Sequence, residues 1–362
     1  TTRSARGIIK FALSSTFDYL LHSVGVLPAL PVIEGSIDEE RLKGLVRDYV
    51  VAGTDFWNSA EDTYWTGKSL ARAAEVLAIA DQLAMSTEAD LLSEWLKDEL
   101  ADWLNAEKSG ALDQGNYLVY DDVWDTLLGM EESFGSHQQL NDHHFHYGYF
   151  IRAAAEVCRI DKSFCSAEQY GQMLELMIRD YAGGRDDPMF PYVRNFDPAN
   201  GFSWASGHAN FVRGNNNEST SEAANAYGAM VLYGLVTDNN AIVDRGIYLH
   251  ASTSATYWEY WNDIDGYVGA SAEERNFPPD YPRITTSIIW GDGSAFATWF
   301  SGAFAHILGI QGLPSNPLIM HVGLHSNYLK DYVTLGLSDQ PMACRQVCPR
   351  GNGWICGGIC GQ

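Results

Sequence analysis

Apolar residues recur at spacings of three and four along most of the chain, which is the period of an amphipathic helix. Two successive stripes comprise Leu70, Ala73, Ala74, Leu77, Ala80 and Ala84, then Leu91, Leu92, Trp95, Leu96, Trp103 and Leu104. The same pattern predicts helices over residues 38–51, 144–158, 167–181, 222–235, 241–261, 294–310 and 318–335. Strand signals are short and few, as at residues 117–120, so we predict an all-α fold.

Roughly ten or more helices joined by polar loops favour an architecture of paired helices. The chain length suits an (α/α)6 barrel, a toroid of inner and outer helices, and the absence of a fixed-period repeat argues against a solenoid. No segment reads as an N-terminal β-sandwich. The loops at 183–217 and 270–287 are long, which is typical of functional loops. We expect residues 1–340 to form the helical domain and residues 341–362 a Cys-rich tail.

The chain is strongly acidic, with 23 Lys and Arg against 46 Asp and Glu and a formal charge of −23. Such a surface repels polyphosphate backbones and anionic glycans, whereas a neutral polysaccharide meets no electrostatic penalty. The longest apolar run, at 295–310, is too short to span a bilayer. We therefore expect a neutral glycan as partner, no nucleic acid and no membrane, and a monomer.

Six cysteines bear on the cellular compartment, and four of them lie near the C-terminus at Cys344, Cys348, Cys356 and Cys360. An even number in a loop-rich tail favours disulfides and a secreted protein, although a zinc site stays open as an alternative. Cys158 and Cys165 are close enough to pair with each other and equally suit buried thiols.

Two carboxyl groups held across a cleft can cleave a glycosidic bond, because one protonates the leaving oxygen while the other activates water or attacks carbon. Asp142 and the pair Glu218 and Glu222 are the candidates. Each has a structural alternative: Asp142 as an N-cap, and Ser219 with Glu222 as a capping box. The three amides at 215–217 favour ligand binding, since they supply donors and acceptors but little packing.

Three histidines follow Asp142 directly, at positions 143, 144 and 146. Adjacent and alternate positions do not share one helix face, and no carboxylate at ligand spacing accompanies them, so we expect neither a metal nor another cofactor. A histidine beside an acid can instead tune its proton affinity or bind a sugar hydroxyl. Asn217-Glu218-Ser219 is a glycosylation sequon, and we expect Asn217 to be unmodified because a glycan there would block substrate.

Aromatic residues make up 12% of the chain and include 11 Trp and 19 Tyr. Their rings suit core packing as well as stacking on sugars, and both interpretations stay open for several polar-aromatic strings. The strings are Asp62-Thr63-Tyr64-Trp65, Phe202-Ser203-Trp204-Ala205-Ser206-Gly207 and Trp258-Glu259-Tyr260-Trp261.

Four motifs occur in order over about 165 residues. They are Asp62-Thr63-Tyr64-Trp65-x-Gly67-Lys68, Asn141-Asp142-His143-His144-Phe145-His146-Tyr147-Gly148-Tyr149, Ser203-Trp204-Ala205-Ser206-Gly207 and Asn217-Glu218-Ser219-x-Ser221-Glu222-Ala223-x-Asn225-Ala226-Tyr227. This set resembles glycoside hydrolase family 81, whose members are endo-β-1,3-glucanases (laminarinases) that invert configuration. A weaker likeness extends to about Pro314.

The resemblance implies that Asp142 is the general acid and Glu222 the general base, with Glu218 a further carboxylate of the catalytic set. The assignment between Glu218 and Glu222 stays open. Tyr64, Tyr149 and Ser219 would support the base, and substrate contacts are expected from Asp62, Trp65, His143, His144, His146, Trp204 and Asn217. The resemblance also implies an (α/α)6 domain.

This chain departs from the family pattern, because family members usually carry an N-terminal β-sandwich and a connecting domain before the helical barrel. The sequence is then either a minimal member or a fragment, and the Cys-rich tail also lies outside the pattern. Two other functions were weighed. A polysaccharide lyase on a similar toroid needs basic residues in its cleft, and the acidic composition of the chain argues against this function. A non-catalytic glucan-binding protein would bind through its aromatic residues and use the acids only as helix caps.

Overall fold

The computed structural model describes residues 2–4, 7–9, 11–16, 18–31, 35–113, 115–208, 210–269, 271 and 274–339. This part of the chain is mostly helical. Its α-helices are α1 (Glu39–Ala52), α2 (Thr54–Trp57), α3 (Thr63–Gln82), α4 (Ser86–Leu104), α5 (His143–Ile160), α6 (Gly171–Ala182), α7 (Thr220–Val236), α8 (Asn240–Thr256), α9 (Ile264–Tyr267), α10 (Phe304–Gly309) and α11 (Ser326–Ser338).

Short antiparallel strands accompany these helices. They are β1 (Thr2–Ser4), β2 (Gly7–Ile9), β3 (Glu107–Lys108), β4 (Ala111–Leu112), β5 (Leu118–Asp121), β6 (Thr126–Gly129), β7 (Phe196–Asp197), β8 (Phe202–Ser203), β9 (Asn216–Asn217), β10 (Ile288–Trp290) and β11 (Gly293–Ala295). The strand predicted at 117–120 is therefore confirmed as β5. The expectation of an all-α fold is corrected to a mostly helical fold with small sheets.

Most predicted helices are confirmed within a few residues, since their apolar periods are strong and local. The predictions over 38–51, 144–158, 167–181 and 222–235 correspond to α1, α5, α6 and α7. The long period at 241–261 divides into α8 and a π-helical turn, Tyr257–Trp261. The period at 318–335 divides into the 3₁₀ segment Pro317–Gly323 and α11.

The helix predicted over 294–310 is wrong in its first half. Residues Gly293–Ala295 form β11, which pairs with β10, and the helix α10 begins only at Phe304. Cross-strand backbone bonds outweigh the weak helical preference of a segment that contains Gly302.

Helix α5 forms the centre of the core, packed between α3 and α7. Its residues 143–158 are all buried, so it is covered around its whole circumference. Glycines permit the close approach of the neighbouring helices. A Cβ added at Gly148 would lie 2.4 Å from Ala226 Cβ, and one at Gly67 would lie 3.0 Å from Tyr149 Cβ. These contacts fix the N-terminal ends of three helices against one another.

A three-stranded antiparallel sheet in the order β11-β10-β9 supports the segment that leads into α7. Asn216 pairs with Trp290, and Asn217 pairs with Ile289. A second, smaller apolar cluster around Phe202, Trp258 and Trp261 lies beneath this region. The sheet therefore holds the residues before α7 in a defined position.

Cys158 and Cys165 form a disulfide with a Cα–Cα distance of 5.8 Å, which decides between the two expectations for this pair. Cys344, Cys348, Cys356 and Cys360 lie outside the described residues. Within the described residues, no helix is long and apolar enough to cross a membrane.

Candidate active site

Glu222 lies in the first turn of α7 and is 2% exposed. Its Oε1 accepts hydrogen bonds from Tyr64 of α3 at 2.9 Å and from Tyr149 of α5 at 2.5 Å. The ammonium group of Lys68, one turn after Tyr64, lies 3.8 Å from the same oxygen. Such donors and a nearby cation offset the free-energy cost of burying a carboxyl group. The structure therefore joins Glu222 to both predicted tyrosines.

The capping box that was the structural alternative for Ser219 and Glu222 does not form. Ser219 precedes α7, but its hydroxyl donates to the Ile310 carbonyl at 3.2 Å, and it makes no side-chain cap bond. Glu222 turns instead toward the two tyrosine hydroxyls. The expected support of Glu222 by Ser219 is thus not a direct hydrogen bond; Ser219 anchors the start of the helix to the segment after α10.

Asp142 stands immediately before α5 in a left-handed conformation, with φ of 59°. Asp142 occupies the N-cap position of α5, but its side chain makes no cap hydrogen bond and is left for another role. The Asn141 side-chain amide donates to its Oδ2 at 3.1 Å, and its own backbone N–H donates to Ala205. A left-handed non-glycine residue is uncommon and often marks a functional position.

Burial raises the pKa of Asp142 well above its usual value, and the negative charges of Glu222 and Glu218 raise it further. The cost of a carboxylate charge in a poorly solvated position favours the protonated form. Because both glutamates act on Asp142, the three carboxyl groups lie close enough to interact. Asp142 is therefore suited to hold its proton to higher pH than an exposed aspartate does.

Glu218 is half-buried and accepts a hydrogen bond from the Trp299 backbone N–H at 2.7 Å. Burial raises the pKa of Glu218 to about 7, the Trp299 N–H opposes this rise, and the charge of Glu222 adds to it. The side-chain amide of Gln311 donates to the Glu218 backbone carbonyl. Glu218 thus belongs to the same electrostatic unit as Asp142 and Glu222.

All three histidines are at most 1% exposed and contact other side chains, so the structure gives their expected substrate contacts no support. His143 Nδ1 lies 2.8 Å from Asp180 Oδ2, and His144 Nε2 lies 2.9 Å from Ser203 Oγ. Nδ1 of His146 lies 2.8 Å from Thr63 Oγ1. Burial lowers the pKa of His144 to about 3 and that of His146 well below its usual value.

Asp62 and Asn217 also make structural contacts within the protein. Asp62 caps α3, since its Oδ1 accepts from the backbone N–H groups of Tyr64 and Trp65 at 2.8 and 3.0 Å. Asn217 has no exposed surface, and its side-chain amide donates to the Ser203 carbonyl. The sequon at Asn217 is therefore inaccessible in the folded chain. Among the described residues, no group of three or more His, Cys, Asp or Glu is arranged to hold a metal ion.

Aromatic rings remain open to solvent around the carboxylates. Trp65 is 36% exposed and lies with Phe134 beside Tyr64, their ring centroids 5.1 and 4.9 Å from that of Tyr64. Trp204 is half-buried, and its Nε1 donates to Asp197 at 3.1 Å. Trp65 is thus accessible to a ligand, whereas the Trp204 side chain is hydrogen-bonded to Asp197.

Lys68, Phe134 and Trp299 are neighbours of the site that the sequence analysis missed. Lys68 had a detectable signal, because it lies four residues after Tyr64 on one helix face. Phe134 and Trp299 lie on loops; no periodic pattern marks Phe134, and the period at 294–310 wrongly placed Trp299 in a helix.

Glycoside hydrolases cleave with carboxyl groups that flank the scissile bond, and this fold gathers three interacting carboxyl groups beside exposed aromatic rings. Residues 42–346 match the sequence profile of the glycosyl hydrolase family 81 C-terminal domain, and the chain belongs to this family.

Two curated relatives carry the name glucan endo-1,3-beta-D-glucosidase. The protein from Thermobifida fusca is 37% identical over 95% of this chain and 44% of its own length. The protein from Acetivibrio thermocellus is 38% identical over 91% of this chain and 41% of its own length. A solved mutant of glycoside hydrolase family 81 from Clostridium thermocellum aligns with a TM-score of 0.80 and 37% identity, over 88% of this chain and 43% of that chain. The chain spans less than half the length of these relatives.

Proposed function

We propose that this chain carries the catalytic site of an endo-acting hydrolase that cleaves β-1,3-glucan with inversion at the anomeric carbon. The names of the family relatives support cleavage of the β-1,3-glucosidic bond and endo action within the glucan chain. The observation that carries the proposal for this chain is the interacting set of Asp142, Glu218 and Glu222 at the ends of α5 and α7.

Asp142 acts as the general acid. A general acid must hold its proton at working pH, and burial together with two neighbouring negative charges raises the pKa of Asp142 strongly. In the reaction the proton passes to the glycosidic oxygen as the bond to the anomeric carbon breaks. The left-handed backbone and the bond from Asn141 hold the carboxyl group in place for this transfer.

Glu222 acts as the general base. Its contacts with Tyr64, Tyr149 and Lys68 all involve Oε1, which leaves Oε2 to accept a proton from the attacking water. An anchored carboxylate loses little orientational freedom in the transition state. An inverting mechanism needs room for this water, so the acid and base should stand roughly 6.5 to 9.5 Å apart.

Glu218 is assigned a different role from Glu222. A group with a pKa of about 7 is partly protonated at neutral pH. The hydroxyl groups of Tyr64 and Tyr149 both donate to Glu222 and not to Glu218. The proposed role is to keep Asp142 protonated and to bind a sugar hydroxyl. The choice of Glu222 as base rests on its two tyrosine donors.

We further propose that the helices complete an (α/α)6 toroid within residues 1–340, followed by the tail at 341–362. The alignment with the solved family structure and the sequential packing of α3, α5, α7 and α8 support this architecture. The disulfide Cys158–Cys165 supports secretion, because such bonds persist in oxidising compartments. A monomer that acts on neutral glucan without a cofactor remains our expectation.

The decisive experiment is incubation with laminarin while NMR follows product size and the anomeric form first released. Asp142→Asn and Glu222→Gln should each lower kcat by about 1000-fold or more, since each removes a proton-transfer group. Glu218→Gln should retain more activity than Glu222→Gln. Asp90→Asn, a change of the same type at an exposed position of α4, should leave kcat unchanged.

Several outcomes would overturn the proposal. Full activity in Asp142→Asn or Glu222→Gln would remove the mechanism, and initial release of the retained anomer would exclude inversion. Laminarin binding without any turnover would indicate a glucan-binding protein, and products with a new double bond would indicate a lyase.

A further inference from the structure

A cluster of aromatic rings lies on the surface beside Glu218. Trp299 is 59% exposed, and its ring centroid lies 5.3 Å from that of Trp290 and 6.3 Å from that of Phe211. We call Trp299, Trp290 and Phe211 the Trp299 platform. These rings come from two separate loops and from the end of the central strand β10, so no single local sequence pattern produces the cluster.

The platform is joined directly to the proposed catalytic carboxyl groups. The Trp299 backbone N–H donates to Glu218 Oε1 at 2.7 Å, and the Trp299 indole N–H donates to Asn216 Oδ1 at 3.3 Å. Asn216 is paired with Trp290 across β9 and β10. Two hydrogen bonds and a strand pair thus fix the Trp299 ring at a set distance from Glu218.

The platform is also supported from its outer side. The Arg213 guanidinium lies 5.4 Å from the Trp290 ring centroid, and its Nε donates to Asp292 at 2.9 Å. A cation held over an aromatic face stabilises the ring position. The indole of Trp299 nevertheless remains largely in water, although exposing so large an apolar surface is unfavourable. A ligand that covers the ring would recover this free energy.

We propose that the Trp299 platform is a subsite that binds one glucosyl unit of the glucan chain next to Glu218. The inference rests on the proposed function and adds a binding site to it. The axial hydrogens of a β-glucosyl ring form a flat apolar face that stacks on an indole, while the hydroxyls at its rim reach polar groups. The subsite differs from the surface formed by Trp65 and Phe134, which adjoins Tyr64 and hence Glu222.

The acidic surroundings favour an uncharged ligand at the platform. Glu218 and Asp292 lie beside it, while Arg213 is already paired with Asp292. An anionic sugar would meet repulsion from Glu218, whereas the hydroxyl groups of a neutral glucosyl unit can donate to its carboxyl oxygens. The chemistry of the platform therefore agrees with a neutral glucan.

The test replaces the Trp299 side chain and measures laminarin oligosaccharide binding. Trp299→Ala and Trp299→Leu both keep the backbone N–H that binds Glu218, so kcat should remain within about twofold, while KM rises about 3- to 10-fold for loss of the stacking contact. Trp299→Phe should recover most of the affinity. The dissociation constant, measured by calorimetry in an Asp142→Asn background that prevents turnover, should rise by the same factor as KM.

Trp124→Ala is the matched control, because Trp124 is 66% exposed at the turn between β5 and β6 and should not affect KM. Unchanged KM and dissociation constant in Trp299→Ala or Trp299→Leu, in an enzyme that hydrolyses laminarin, would overturn the subsite and leave the proposed function intact. The opposite outcome is also decisive. If the parent chain does not hydrolyse laminarin but its glucan binding weakens in Trp299→Leu, the subsite is supported and the proposed function is refuted.

Discussion

The pKa of Glu218 predicts how the stability of the folded chain depends on pH. Glu218 has a pKa of about 7 in the folded state, against a usual value of 4.5 that applies to the unfolded chain. The folded state therefore holds its proton to higher pH than the unfolded state. The contribution of Glu218 to stability is greatest below the unfolded pKa and is lost as pH rises through about 7, since Glu218 ionises more easily in the unfolded chain.

Glu218→Gln removes the free-energy cost of ionising a carboxyl group at this half-buried position. The variant keeps a side-chain oxygen that can accept a hydrogen bond from the Trp299 N–H. One pH unit of difference between the two states corresponds to about 1.4 kcal/mol, so the displacement from 4.5 to about 7 sets an upper limit of roughly 3 kcal/mol. Because Glu218 is half-buried and its charge is partly solvated, we expect a gain of about 1–3 kcal/mol. The variant should thus be more stable than the parent chain under alkaline conditions.

Urea unfolding followed by far-UV circular dichroism measures this gain at several pH values. The difference in unfolding free energy between Glu218→Gln and the parent chain should be near zero at about pH 4.5 and should reach its full size by about pH 8. The exposed Glu94→Gln on α4 is the control and should show a flat difference. A difference for Glu218→Gln that does not change with pH would refute the reasoning.

Two further predictions concern the hydrogen bond from Tyr149 to Glu222 and the packing of α5 against α7. Tyr149→Phe removes the 2.5 Å donor to a buried carboxylate, so stability should fall by about 1.5–3 kcal/mol, as measured by urea unfolding, with a parallel loss of kcat on laminarin. An unchanged kcat would mean that Tyr149 does not position the base. Gly148→Ala places a Cβ 2.6 Å from the Ala226 backbone and should cost about 1–3 kcal/mol. Gly44→Ala in α1 meets no atom within 4 Å and should be neutral or stabilising, so equal urea midpoints for the two glycine variants would contradict the packing account.

The helices could be predicted from sequence because their signal is local. The apolar period from 144 to 158 and that from 222 to 235 identified α5 and α7 within two residues at each end. The failure at 294–310 has a nonlocal cause, since β11 forms only where β10 is present to pair with it. Periodicity carries no information about such a partner.

The candidate site was predicted only in part, because the sequence motifs identify residues but not the direction in which their side chains point. The motifs identified Glu222 with Tyr64 and Tyr149, although Tyr64 is 158 residues away along the chain. They could not distinguish the surface of α5 that faces the site from the surfaces that face the core. The histidines beside Asp142 were therefore expected to contact substrate, whereas His143 contacts Asp180 inside the protein.

The sequence alone determined the helical class and the acidic character of the chain, because these depend on composition and on neighbouring residues, and its motifs supplied the candidate carboxyl groups. Tertiary structure alone decided which polar groups are buried, which of the carboxyl groups hold protons, and which aromatic rings stay open to ligand. Burial and proton affinity arise from the summed effect of segments that are distant in sequence, as when α3, α5 and the loop before α10 surround the start of α7. Only the folded chain brings those segments together.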